Sequence, residues 1–144
     1  MKKDAIKLLE HFKILNEREV HARYEVFLEN YNKTINVEGQ LMVLIANPYI
    51  LPGALEYQRN IGQRVAAVKA GGSTSVQGKK LLSQYTKLVD KLKTQTDALA
   101  VALDHSNGSA EEHAKYMRDK VVPAMNKLRG TGEEIEGLTP HELW

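Results

Sequence analysis

The chain has 144 residues, with 20 Lys and Arg against 18 Asp and Glu, and no cysteine. A formal charge of +2 is too weak to draw nucleic acid or an anionic membrane. Without cysteine there is no disulfide, thiolate metal site or thiol nucleophile, and cytosol is the expected compartment. The length fits one domain, able to bury about 68–70% of its unfolded surface. The longest apolar run, Leu41 to Ala46, is far short of a membrane span. Asp4, Lys7 and Glu10 interrupt any secretory apolar region at the start.

The elements follow in chain order. Lys3 to Leu15 reads as a helix with Ile6, Leu9 and Phe12 or Ile14 on one face. Asn16, with Glu19 three residues on, is a capping-box variant that opens a long helix. Its expected apolar stripe is Val20, Tyr24, Phe27, Tyr31, Ile35, Leu41 or Met42, and Ile45, interrupted only by Glu38. From Glu17 to Ala46 the helix would be roughly 45 Å long. Pro48 and Pro52-Gly53 predict a kink or restart, with helix resuming to about Lys69 and burying Leu51, Leu55, Ile61, Val65 and Val68. A flexible connector is expected at about 70–78.

Leu81, Tyr85, Leu88, Leu92, Thr96 or Gln95, Leu99 and Leu103 then alternate steps of four and three, a seam against a partner helix. "DHSNGS" ends it. Ser109 with Glu112 forms a second capping box, and the last helix should bury Ala114, Met117, Val121, Ala124 or Met125, and Leu128. Pro123 predicts a bend, and "RGTGEEIEG" should weaken that helix. The fold class expected is therefore all-α: an elongated antiparallel bundle of four to five helices, two of them long, with proline kinks near 48–52 and 123.

Self-contained chemistry is hard to find. "AGGSTSVQGKKLL" looks like a phosphate loop, but five residues separate Gly72 from Gly78 where the motif has four. Lys80 stands where a metal-binding hydroxyl should follow the lysine, and a helix precedes in place of a strand. No Glu-x-x-His occurs, so the di-metal bundle signature is missing. His21 and Glu25 could share a helix face, which reads as a solvent-facing pair. There is no Gly-x-Ser-x-Gly. No catalytic, cofactor-binding or metal residue is assigned.

Several stretches carry a family resemblance: "RYE", "KTINVE", "ILPGALEYQ" and "DKVVPAMN", with "HELW" at the end. In that order, over nearly the whole chain, they resemble the helical C-terminal domain of type III glutamine synthetases. The resemblance implies a cytoplasmic, bacterial, oligomeric parent that uses ATP and Mg²⁺ or Mn²⁺ to join ammonia to glutamate. It also implies that the catalytic motifs lie upstream, so that none is carried onto this sequence and the chain is an excised domain without synthetase activity of its own. Its expected partners are its own catalytic domain and neighbouring subunits. Removal from the parent should leave apolar surface at Tyr24, Phe27, Tyr31, Leu143 and Trp144, and the fragment should self-associate. An alternative is a regulatory binding module with a polar pocket near Arg23, Glu25, Lys33 and Glu38.

Overall fold

A computed structural model describes residues 3–105 and 108–143. Among the described residues there are four helices and no strand. Helix α1 is Lys3–His11. Helix α2 runs without a break over 17–70, as Glu17–Ile45, a π-helical turn Ala46–Ile50, and Leu51–Ala70. Helix α3 is Val76–Leu103. Helix α4 covers 110–136, as Ala110–Tyr116, a second π-helical turn Met117–Val121, and Val122–Glu136. A short 3₁₀ turn, His141–Leu143, follows.

The helix starts obey the sequence. Asn16 accepts a hydrogen bond from the Glu19 N–H while the Glu19 carboxylate accepts from the Asn16 N–H. Ser109 and Glu112 repeat this box at α4. Ser75 caps α3 by accepting from the Gly78 N–H. The suspected phosphate loop is thus a connector of five residues between α2 and α3, shorter than expected, with Gly72 at φ 80° making the turn. α1 ends earlier than expected, at His11, where Lys13 takes up a left-handed φ of 52°.

Each π turn ends two residues before a proline, and the first also contains Pro48. Leu51 donates its N–H back to the Ala46 carbonyl, and Pro52 follows; Val122 donates to the Met117 carbonyl, and Pro123 follows. A proline inside a helix has no N–H to give and its ring crowds the carbonyl four residues back. A widened turn moves that carbonyl aside, so the helix continues where a restart had been one expectation. Pro48, Pro52 and Pro123 are all solvent-exposed, which leaves water to satisfy the carbonyls they cannot reach.

α3 is the shared wall of the bundle, antiparallel to both α2 and α4 and packed on both. Tyr85, Leu88, Val89, Leu92, Thr96 and Leu99 are its buried residues, so the expected seam holds. Tyr85 is fully buried, its ring edge-on to Tyr57 and its hydroxyl 2.6 Å from Thr139 Oγ1. Burial pushes the Tyr85 hydroxyl above its ordinary pKa, so it stays a neutral donor. Thr139 in turn donates to the Ile135 carbonyl, so Tyr85 is the donor of the pair. α4 buries Ala114, Met117, Val121 and Leu128 as expected. It also runs on through Gly130 and Gly132 to Glu136, because Thr131 and Ile135 are buried there.

α2 departs from the expected stripe. Its first half buries Val20, Asn32 and Gly39, with Ala46 following in the π turn, while Phe27, Tyr31, Glu38, Leu41 and Ile45 are exposed. The packed seam is Leu28, Asn32, Ile35, Gly39, Met42 and Ala46; Ile35 and Met42 lie inside as expected, while 28, 32, 39 and 46 stand one residue, about 100°, beyond the expected positions 27, 31, 38 and 45. Gly39 sits where the helices approach closely. A Cβ on Gly39 would come within 2.7 Å of Leu103 Cδ2. In the second half Ala54 and Ile61 are buried, whereas Leu55 and Val68, expected inside, lie exposed. In α1 only Ile6 is buried, and Phe12 and Ile14 face solvent.

Two outcomes test this packing. Leu99→Ala should cost about 2–5 kcal/mol in urea unfolding, as a fully buried leucine in a shared wall. Glu112 has its pKa held below the usual carboxylate value by hydrogen bonds from the Ser109 N–H and hydroxyl. A depressed folded pKa gives stability that is present above the unfolded value and lost as pH falls through the folded one. Circular dichroism on acidification should therefore show helix loss in that window, with a smaller loss in Glu112→Gln.

Candidate interaction surface

The inward turn of the small residues sends the larger apolar ones out. Val26, Phe27, Val37, Leu41, Leu44 and Tyr49 lie off the packed seam of α2, each between 51% and 72% exposed. Positions 27, 30, 34, 37, 41 and 44 step by three and four, with Asn30 and Thr34 filling the gaps between Phe27, Val37, Leu41 and Leu44. That spacing is a second seam on the same helix, suited to a facing helix. The i,i+4 neighbours on α2 include ordinary solvated ion pairs such as Lys33–Glu29 at 3.4 Å, which add little.

The sequence-selected residues do not form one patch. Phe27 is exposed and belongs to the outer stripe. Tyr24 is half-buried and Tyr31 is at the edge of exposure; both line a recess of 240 Å³ against Ala114, Lys115 and Arg118 of α4. Leu143 is half-buried against α2 just after its π turn, where its carbonyl lies over Gly53 so closely that a Cβ there would overlap it. Tyr24 and Gly53 are about 43 Å apart along the helix. Trp144 lies outside the described residues.

The polar group proposed as a pocket does not converge. Arg23, Glu25, Lys33 and Glu38 are all exposed. At 100° per residue they point to four different sides of α2. Glu25 lines a recess with His21, Ser109 and Glu111, and Lys33 lines another with Asn36, His105 and His113. His21 stands 3.9 Å from Glu17, one turn before it, so the pairing with Glu25 is not the one made.

Three features at the start of α4 carry little sequence signal. His105 stacks on Tyr116 at 4.0 Å and lies parallel to His113 at 6.2 Å. Asn32 Nδ2 donates to the Ala110 carbonyl at 3.0 Å, tying α2 to the first residue of α4. Its Oδ1 is buried without a partner among the described residues. Glu111, paired with Lys115 at 2.8 Å, has its pKa lowered by that hydrogen bond and charge. Nothing here groups a nucleophile with a base. No three His, Asp or Glu side chains among the described residues gather closely enough to hold a metal ion. No helix among the described residues is long and apolar enough to cross a membrane.

Comparison with known proteins points to one enzyme. Residues 1–69 match the family described as the glutamine synthetase C-terminal domain. Over 96% of this chain, the type-3 glutamine synthetase of Dictyostelium discoideum is 26% identical. The glutamine synthetase of Butyrivibrio fibrisolvens is 24% identical over 96% of the chain, and that of Bacteroides fragilis (strain YCH46) is 26% identical over 92%. The chain spans about a fifth of the length of these relatives, from 19% to 20%. The helical architecture and the matched stretch agree: residues 1–69 are similar to the C-terminal domain of glutamine synthetases, and most of the chain is similar to the type-3 enzyme.

Proposed function

We propose that this chain is a non-catalytic helical domain of a type-3 glutamine synthetase, and that it works by contact. The observation that carries this reading is the outer face of α2, where Phe27, Val37, Leu41, Leu44 and Tyr49 stand exposed on a helix that already has its own core seam. An apolar face of this regularity has a cost in water that a partner surface would relieve. The partner is the parent's own catalytic domain or a neighbouring subunit. The parent's reaction is the ATP-dependent ligation of ammonia to glutamate with Mg²⁺ or Mn²⁺, in the cytoplasm, through residues that this chain does not supply. What supports the division of labour is the fifth of the relatives' length that the chain spans, and the match of its first half to their C-terminal domain.

In isolation the chain should form dimers or larger species in sedimentation velocity, increasing with concentration. Leu41→Lys with Leu44→Lys should return it to monomer while shifting folding stability by no more than about 0.5 kcal/mol per site, as expected for exposed positions away from the core. A strict monomer at high concentration, or a double variant that still associates, would count against the outer face as the contact.

A coupled assay of this chain alone with ATP, glutamate and ammonia should give no glutamine. In the full-length enzyme the same double substitution should weaken subunit assembly or docking, read as a smaller species or a lower melting temperature. Unchanged assembly and melting would remove the contact role.

A further inference from the structure

A cavity of 240 Å³ opens beside the first π turn, where α2, α3 and α4 meet. Met42, Ile45, Ala46 and Ile50 of α2, Leu92 of α3 and Leu128 of α4 form its apolar walls. Its size has a specific cause. Ala46 and Gly132 both line it, and both are buried. A Cβ added to Gly132 would meet nothing within 4 Å, so the helix packing leaves empty space at that position. Close-packed interiors seldom leave such space. The recess is open to solvent on its rim side, so a ligand can enter without opening the bundle.

The rim is charged. Arg129, Glu133 and Glu136, all exposed, come from successive turns of α4. Arg129 Nε donates to Glu133 at 2.8 Å, which neutralises one carboxylate and leaves Glu136 in excess. From these observations we infer that the cavity is a binding site for a small organic cation: an aromatic or branched aliphatic group that fills the space over Gly132, with an ammonium group one or two carbons away facing the rim carboxylates. Apolar burial supplies the affinity and the rim supplies the preference for a cation over an anion. The site lies beyond the contact role argued above, because its walls belong to the core seam of α2.

The probe is 2-phenylethylammonium, titrated into the 144-residue chain while methyl resonances are followed by NMR. Saturable shifts at Met42, Ile45, Ile50, Leu92 and Leu128 are expected at millimolar concentration, with ethylbenzene weaker by about two- to fivefold and 3-phenylpropionate weaker again. Glu133→Gln with Glu136→Gln should erase the difference between the cation and ethylbenzene. Gly132→Leu should abolish the shifts. Gly132→Ala is the second variant, since one methyl in open space keeps the fold and should raise the melting temperature while weakening binding severalfold. Absence of saturable shifts in the parent chain would overturn the site. So would undiminished binding in the folded Gly132→Ala and Gly132→Leu proteins. Ethylbenzene or 3-phenylpropionate binding as tightly as the cation would overturn the ligand class.

Discussion

The bundle depends on one constraint: α3 must be covered along its whole buried face by helices that approach closely enough to do it. Tyr85, Leu88, Leu92, Thr96 and Leu99 all lie on that face, and α2 and α4 both pack there. Close approach selects small residues on the covering helix, which is why Gly39 and Ala46 hold the seam of α2 and why Leu103 can lie against it. Keeping the seam aligned over 17–70 needs a correction. The buried positions Asn32, Gly39 and Ala46 are seven apart, but the next is Ala54, eight on, followed by Ile61 at seven again. The π turn Ala46–Ile50 takes up that one extra residue. The proline after it is then accommodated at the same place, so one local widening serves both register and proline chemistry.

The parts of this fold legible in the sequence are those where a local signal and the tertiary answer coincide. Both capping boxes formed as read, because a side-chain oxygen three residues from its N–H needs no other part of the protein. The seam of α3 was legible because it is apolar and covered on both sides. The buried face of α2 was not. A search for apolar periodicity finds the larger residues, and on α2 these are divided between the inner seam, with Ile35 and Met42, and the outer stripe, with Phe27 and Leu41. The inner seam contains Asn32 and Gly39, which such a search passes over. Asn32 is held inside by the Ala110 carbonyl, a contact between positions 78 residues apart that no window along the chain reveals. Phe27 and Tyr31 are exposed, whereas Leu143 is half-buried and lies over Gly53, far along α2 from them.

The same geometry explains why helix propensity misled at the end of α4. Glycines at 130 and 132 weaken an isolated helix by roughly 1 kcal/mol each. In the bundle Thr131 and Ile135 are buried, and Thr139 receives the Tyr85 hydroxyl just beyond. Burial of that kind outweighs the backbone preference, as tertiary packing commonly does. Gly132 then has a consequence of its own, since the side chain it lacks is what leaves the space beside Ala46.

A helix with two seams also bears on how the domain could serve a large enzyme. The inner seam is consumed by α3 and α4, so the outer one is available without any rearrangement of the bundle. On the reading proposed above, a partner would gain apolar burial along a stretch from Phe27 to Tyr49, about 33 Å on a rigid helix. Stiffness matters here because little ordering entropy is lost when a preformed helix docks. Small inward residues and large outward ones are therefore parts of one arrangement. The closer α2 lies to α3, the fewer large side chains its inner face can hold, and the more of its apolar surface is left to meet something else.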